Sequence, residues 1–127
     1  MKRELISIRE SRPWQGIPAI ERAANGRLWC AFFTGGPTEP HPDNAIVLCT
    51  RAAADITWSS PAVVIPPTPH LRAYDPALWH DPSDRLWLFY NLAGLATGDF
   101  STWARHCADA SGPTLTWSAP QRIAIEA

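Results

Sequence analysis

Short apolar runs alternate with turn-forming residues along the whole chain, and no segment has the spacing of apolar residues that an amphipathic helix requires. Eight segments are apolar or alternating enough to predict β-strands: 17–20, 27–33, 45–51, 57–65, 75–79, 85–91, 102–108 and 116–125. Turn-forming pairs such as Asn25-Gly26 separate them. A further alternating segment, residues 4–10, precedes the first run. The pattern predicts an all-β protein.

The eight segments form two similar units. The first unit contains the phrases IPAI, RLW and TWSSP, and the second contains DPAL, RLW and TWSAP. The two copies are offset by 58 residues up to Cys49 and Cys107 and by 59 residues at the TWS phrases, which predicts one inserted residue after Cys107. A repeat of this length, with four predicted antiparallel strands in each copy, is typical of β-propeller blades.

We therefore predict one partial propeller domain over residues 1–127, with blade 1 at about 17–65 and blade 2 at about 75–125. Trp29 and Trp87 follow the repeat, so we expect them to occupy equivalent buried positions. Two isolated blades leave sheet edges and one blade face uncovered, and we expect a homo-oligomer that closes the propeller. A β-sandwich built from two duplicated units is the alternative.

Composition excludes several classes of partner. The net charge is -1, which gives no electrostatic basis for binding nucleic acid or an anionic membrane, and no apolar run is long enough to span a bilayer. The basic first residues lack the apolar stretch of a signal peptide, and the chain has an odd number of cysteines, so we expect a cytoplasmic location. The four histidines are dispersed and no phosphate-binding loop occurs, so we predict no metal and no cofactor.

The phrases WQGIPAI, NGRLWCAFF, TWSSP and RAYDPALWHDPSDRLWLFYN resemble the sialidase (neuraminidase) superfamily, in particular bacterial sialidase-like proteins with bacterial-neuraminidase-type repeats. The resemblance extends over residues 13 to 123. It implies a six-bladed propeller of which this chain forms about the first third, and a trimer would supply six blades. RAAADITW and ASGPTLTW would be degenerate Asp-box turns that retain the Thr-Trp end of the family pattern.

The resemblance implies an exo-sialidase-type glycoside hydrolase that acts on the terminal sugars of sialoside-like glycans within a complete or assembled propeller. Gly16 stands where the family has the first of three arginines that bind the sugar carboxylate, and the family's tyrosine nucleophile belongs to a later blade. One alternative is a non-catalytic carbohydrate-binding or scaffolding fragment. Another is a five-bladed glycosidase of the arabinosidase or fructosidase type, which DPALWHD and RLWLFYN also resemble.

Blade topology sorts the polar residues between two faces. Loops between the second and third strands of a blade share one face with the links between blades, and in the sialidase family this face carries the active site. We predict that Glu39, Asp43 and Asp75 are catalytic, because a glycosidase needs carboxyl groups with adjusted pKa values. On the same face the predicted substrate-binding residues are Arg72, Trp14, Gln15, Tyr74 and Asn44.

Each of these residues also has a structural interpretation. Glu39 and Asp43 could be ordinary solvated loop carboxylates, and Arg72 could pair with Asp75 to fix the link between the blades. Four polar residues fall on the opposite face, where we expect them to stabilise turns: Asp55, His80, Asp81 and Asp84.

Overall fold

The computed structural model of the protein describes residues 3–7, 12–95 and 99–123, which contain eight β-strands and no helix. The strands are β1 (Gln15–Arg22), β2 (Leu28–Thr34), β3 (Ala45–Arg51), β4 (Ala62–Ile65), β5 (Arg72–His80), β6 (Leu86–Ala93), β7 (Phe100–Cys107) and β8 (Gln121–Ile123). Among these residues no helix is long and apolar enough to cross a membrane.

The strands form two four-stranded sheets, ordered β1-β2-β3-β4 and β5-β6-β7-β8, and every neighbouring pair is antiparallel. This arrangement confirms the prediction of an all-β protein and is consistent with two propeller blades. The two outermost strands, β4 and β8, are shorter than predicted and begin after the TWS phrases. The predicted strand at 4–10 is not formed over residues 4–7, and residues 8–10 lie outside the described part of the chain.

The two sheets pack face to face around one apolar core. Alternation along the strands sends every second side chain of the first sheet towards the second sheet. The core contains Trp29, Ala31, Phe33, Ile46 and Leu48 from the first sheet and Ala73, Leu86, Leu88 and Tyr90 from the second. The opposite face of the first sheet is covered by Ile6 and Trp58, which pack on a smaller cluster of Cys30, Phe32, Val47 and Cys49.

Hydrogen bonds also join the two sheets. The Trp29 indole Nε1 donates to the Ala110 carbonyl at 3.0 Å, and Arg27 Nε donates to the Ser111 carbonyl at 3.0 Å. The two acceptors lie in the loop between β7 and β8. This loop therefore covers the first sheet and buries Trp29.

The repeat is less regular than the sequence predicted. Leu28 pairs with Arg51 in the first sheet, whereas the equivalent Leu86 pairs with Cys107 in the second. Cys107 thus corresponds to Arg51, at an offset of 56, and the predicted equivalence of Cys49 and Cys107 is wrong.

The offset changes again after β7. The side chains of Ser59 and Ser118, which are 59 residues apart, accept equivalent hydrogen bonds from the backbone N–H groups of Thr50 and His106. Relative to the first unit, the second has lost two residues between β6 and β7 and gained three between β7 and β8. The single insertion predicted from the sequence is therefore the net result of two opposite changes.

Trp29 and Trp87 occupy equivalent strand positions but do not have equivalent environments. Trp29 is 3% exposed because the second sheet covers it, whereas Trp87 is only half-buried. The face of the second sheet that carries Trp87 points away from the first sheet. The prediction that both tryptophans are buried is wrong for Trp87, since a repeat in sequence does not guarantee a repeat in neighbours.

Candidate functional site

The β2–β3 loop and the link between β4 and β5 lie at the same end of the two antiparallel sheets. Glu39 and Asp43 belong to the loop, and Arg72 and Asp75 lie at the start of β5 directly after the link. The turns that carry Asp55 and Asp84 lie at the opposite end. The geometric part of the prediction is thus confirmed, while the functional roles of these residues stay predictions.

Arg72 is the centre of the polar cluster at this end. It is the first residue of β5, and it is 9% exposed. Its Nη1 lies 3.3 Å from Glu39 Oε1 and 3.2 Å from Asn44 Oδ1. Its guanidinium carbon lies 3.9 Å from the centroid of the Tyr74 ring, a cation–π contact. Since Glu39 and Asn44 precede β3, Arg72 ties the β2–β3 loop of the first sheet to the inner strand of the second.

Asp75 completes the cluster. Its backbone has a φ of 50°, at a β-bulge that interrupts the pairing of β5 with β6 between Tyr74 and Ala77. Partial burial raises the pKa of the Asp75 carboxyl, the neighbouring Glu39 carboxylate raises it further, and Arg72 opposes this rise. A carboxyl that holds its proton more strongly than usual is the type of group that serves as a general acid. We call Glu39, Arg72, Tyr74 and Asp75 the Arg72 cluster.

Tyr74 lies between the cluster and the apolar core. Its ring contacts Phe33 edge-on, with the centroids 6.4 Å apart. Burial raises the pKa of its hydroxyl, and the charges of Asp75 and Glu39 add to this rise while Arg72 opposes it. The hydroxyl therefore stays protonated at neutral pH and is available as a hydrogen-bond donor.

Asn44 positions the β2–β3 loop. It is 0% exposed, and its Oδ1 accepts a hydrogen bond from the His41 N–H at 2.9 Å while its Nδ2 donates to the Gly35 carbonyl at 2.8 Å. Its own backbone carbonyl accepts from the Ala73 N–H of β5 at 3.0 Å. This complete burial does not fit the predicted contact with substrate. We reassign Asn44 as a residue that holds Arg72 and the loop in place.

Three other predicted site residues lie apart from the cluster. Asp43 is an exposed loop carboxylate whose Oδ2 lies 3.8 Å from His41 Nδ1. The half-buried Trp14 packs on Phe33, with ring centroids 5.9 Å apart, and therefore contributes to the core. Gln15 accepts a hydrogen bond from Ser7 and lines a cleft with Cys30 and Phe32, on the other side of the first sheet.

A cleft of about 470 Å³ opens beside Arg72, between the loops of the two blades. It is lined by Pro42, Thr68, His70, Leu71 and Gly94, among others. The sequence analysis did not select His70 as a site residue. The only signal in the sequence was its place in the link between the two units, which brings it next to the buried arginine.

The four polar residues assigned to the opposite face do not form a comparable cluster. Asp81 is buried and accepts hydrogen bonds from the backbone N–H groups of Ser83 and Arg85 at 2.8 and 3.0 Å, as expected for a residue that organises a turn. His80 Nε2 and Asp84 Oδ1 are 3.6 Å apart. Asp55 is exposed, in the turn that follows β3.

A comparison with known protein families matches residues 26–127 to the BNR repeat-like domain. The matched range runs from the turn before β2 to the end of the chain and includes the whole Arg72 cluster. A comparison with curated proteins finds no match.

Proposed function

Because the chain belongs to the BNR repeat-like domain family, we propose that it forms part of a sialidase-like glycoside hydrolase that acts on the terminal sugar of a sialoside-like glycan. The observation that supports this proposal most directly is the Arg72 cluster. It places two carboxyl groups, a buried guanidinium and a phenol at one end of the inner strand of the second blade. In a propeller this end of an inner strand borders the central axis.

In this proposal Asp75 is the general acid. Its raised pKa keeps part of the population protonated at mildly acidic pH, so that the carboxyl can donate a proton to the glycosidic oxygen as the bond to the sugar breaks. Arg72 holds Glu39 by an ion pair, and Tyr74 offers a neutral hydroxyl to the substrate. The complete or assembled propeller supplies the group that attacks the anomeric carbon.

A non-catalytic carbohydrate-binding propeller is the second candidate, and one observation at Gly16 favours it. A Cβ at this position would lie 3.1 Å from the Trp14 ring, so an arginine side chain could enter only if Trp14 moved. The first arginine of the family's carboxylate cluster is therefore both absent from the sequence and difficult to accommodate in the structure. A protein without it would bind the sugar more weakly and turn it over poorly.

The test compares hydrolysis of two sialosides by the purified chain, one with a phenolic leaving group and one with a sugar leaving group. We expect Asp75→Asn to lower kcat for the sugar leaving group by about 100-fold or more, because this poor leaving group needs a proton donor. The loss should be smaller for the phenolic group. Asp55→Asn, on the opposite face, is the matched control and should leave both rates unchanged.

Two results would contradict the proposal. Turnover that Asp75→Asn leaves unchanged for both substrates would remove Asp75 from the chemistry. Saturable sialoside binding by calorimetry, with no turnover in the wild type, would support the binding protein instead.

A further inference from the structure

One face of the second sheet is apolar and is not covered by any other described part of the chain. We call it the outer face, and it consists of Trp79, Trp87, Phe89, Ala104 and Ile123, which together line a groove of about 250 Å³. Trp79 is 49% exposed. Trp87 and Phe89 lie stacked, with ring centroids 5.9 Å apart and an angle of 11° between their planes. An aromatic surface of this kind usually marks an interaction site.

The outer face is the repeat equivalent of a surface that is buried elsewhere in the same molecule. Trp87 and Phe89 correspond to Trp29 and Ala31, at the offset of 58 residues that relates β6 to β2. In the first sheet these positions are 3% and 0% exposed, because the second sheet packs on them. The second sheet thus presents the kind of surface that this fold uses to bind another sheet.

The polar groups of the outer face need no partner, which distinguishes it from the buried surface of the first sheet. Trp29 and Arg27 donate hydrogen bonds to carbonyls of the second sheet. Their equivalents Trp87 and Arg85 instead donate to Asp81 Oδ2, both at 2.7 Å. An apolar surface can therefore cover the outer face without leaving these buried donors unsatisfied.

The structure also limits what this cover can be. In a head-to-tail assembly the outer face would pack on the opposite face of the first sheet in the next copy. That face is already covered by Ile6 and Trp58, and its residues Cys30 and Phe32 are 3% and 5% exposed. A head-to-tail trimer that closes a six-bladed ring would first have to displace this cover. Two outer faces can meet directly, with no rearrangement of the described residues.

We propose that the outer face is the interface of a homodimer in which a second copy packs on it about a two-fold axis. Such an interface is isologous, so each tryptophan contributes twice, and two-fold dimers are the commonest closed assemblies. Trp79 is the most exposed aromatic residue of the surface, and it occupies the position that Glu21 holds in the first sheet. The repeat therefore provides its own disruptive substitution, Trp79→Glu.

The experiment is sedimentation equilibrium of the purified chain and two variants. The wild type should sediment as a dimer, and Trp79→Glu should raise the dimer Kd by at least about 30-fold, as expected when a central aromatic residue is lost. Ile56→Glu places the same charge at a residue that is 82% exposed in the turn after β3, and it should leave the Kd unchanged. Far-UV circular dichroism of each variant establishes that the fold is intact.

A second variant keeps the proposal testable if Trp79→Glu does not fold. Ile123→Glu changes the rim of the same groove in the short strand β8, and it should also raise the Kd. A monomeric wild type, a dimer that both outer-face variants leave intact, or a ring-closing trimer would each overturn the proposal.

Discussion

At the scale of single residues, the same backbone geometry occurs twice on the inner strands with very different side chains. Ile17 and Asp75 have φ values of 52° and 50°, and each precedes a proline at a β-bulge. Aspartate tolerates this left-handed conformation, whereas isoleucine does not, because its branched Cβ crowds the backbone. Ile17 is moreover 51% exposed and gains little from burial. The first blade therefore stores strain at a position where the second blade has a fitting residue.

Replacing Ile17 should stabilise the protein. We expect Ile17→Asn to raise the free energy of unfolding by about 1 kcal/mol, the approximate cost of a left-handed conformation for a residue with a Cβ. Ile20→Asn is the matched control, since Ile20 lies on the same strand, is 58% exposed and has no positive φ. Thermal unfolding measures both variants, and a control that gained as much stability as Ile17→Asn would contradict the strain.

At the scale of elements, the turn between β5 and β6 is organised by one carboxylate. Asp81 accepts hydrogen bonds from the indole of Trp87, from the backbone and side chain of Arg85, and from the backbone of Ser83. Burial raises the pKa of Asp81, but these hydrogen bonds outweigh it and hold the pKa well below its ordinary value. The equivalent turn of the first sheet has Ala23 at this position, and Asn25 Oδ1 accepts from the Arg27 N–H instead.

The stabilising effect of Asp81 should depend on pH in a defined direction. A carboxyl with a lowered folded pKa stabilises fully above its unfolded pKa, near about 4, and the stabilisation is lost as the pH falls through the folded value. We therefore expect Asp81→Asn to lower Tm by several degrees at pH 7 and by progressively less below about pH 4. Asp84→Asn, in the same turn, should change Tm little at either pH. A Tm difference for Asp81→Asn that stays constant with pH would refute this account.

The order and type of these elements could be predicted from the sequence, because alternation and turn residues are local signals. The equivalence of Cys49 and Cys107 could not, since two length changes in different loops nearly cancel and leave a coincidental match. The meeting of Glu39 with Arg72 was only partly predictable: topology placed both at one end of the sheets. Their ion pair depends on the buried Asn44, whose hydrogen bonds carry no pattern in the sequence.

At the scale of the whole molecule, the two sheets share one core and should unfold together. Residues of both sheets belong to the same buried cluster, and the Trp29 indole bonds to a carbonyl of the other sheet. Neither sheet has a second core of comparable size among the described residues. Circular dichroism and tryptophan fluorescence should thus report a single coincident transition.

The hydrogen bond between the sheets can be tested with one substitution. Trp29→Phe leaves the Ala110 carbonyl without its buried donor, and we expect it to lower the free energy of unfolding by about 2 kcal/mol. Trp58→Phe is the matched control, because the buried Trp58 indole N–H has no hydrogen-bond partner among the described residues. Urea denaturation compares the two. An equal loss from both substitutions would show that the bond contributes nothing beyond ring size.

The packing of one sheet on the next has a consequence for how such a gene can lengthen. Each unit carries on one side the surface that receives a neighbour and on the other the surface that a neighbour receives. An in-frame duplication therefore supplies a ready-made fit, and selection does not have to invent a new core. The loops can then diverge independently, as shown by the two residues lost at one end of the second unit and the three gained at the other. Unequal recombination within the coding sequence can thus add whole blades in single steps, while point mutation separately alters the loops that carry the polar cluster.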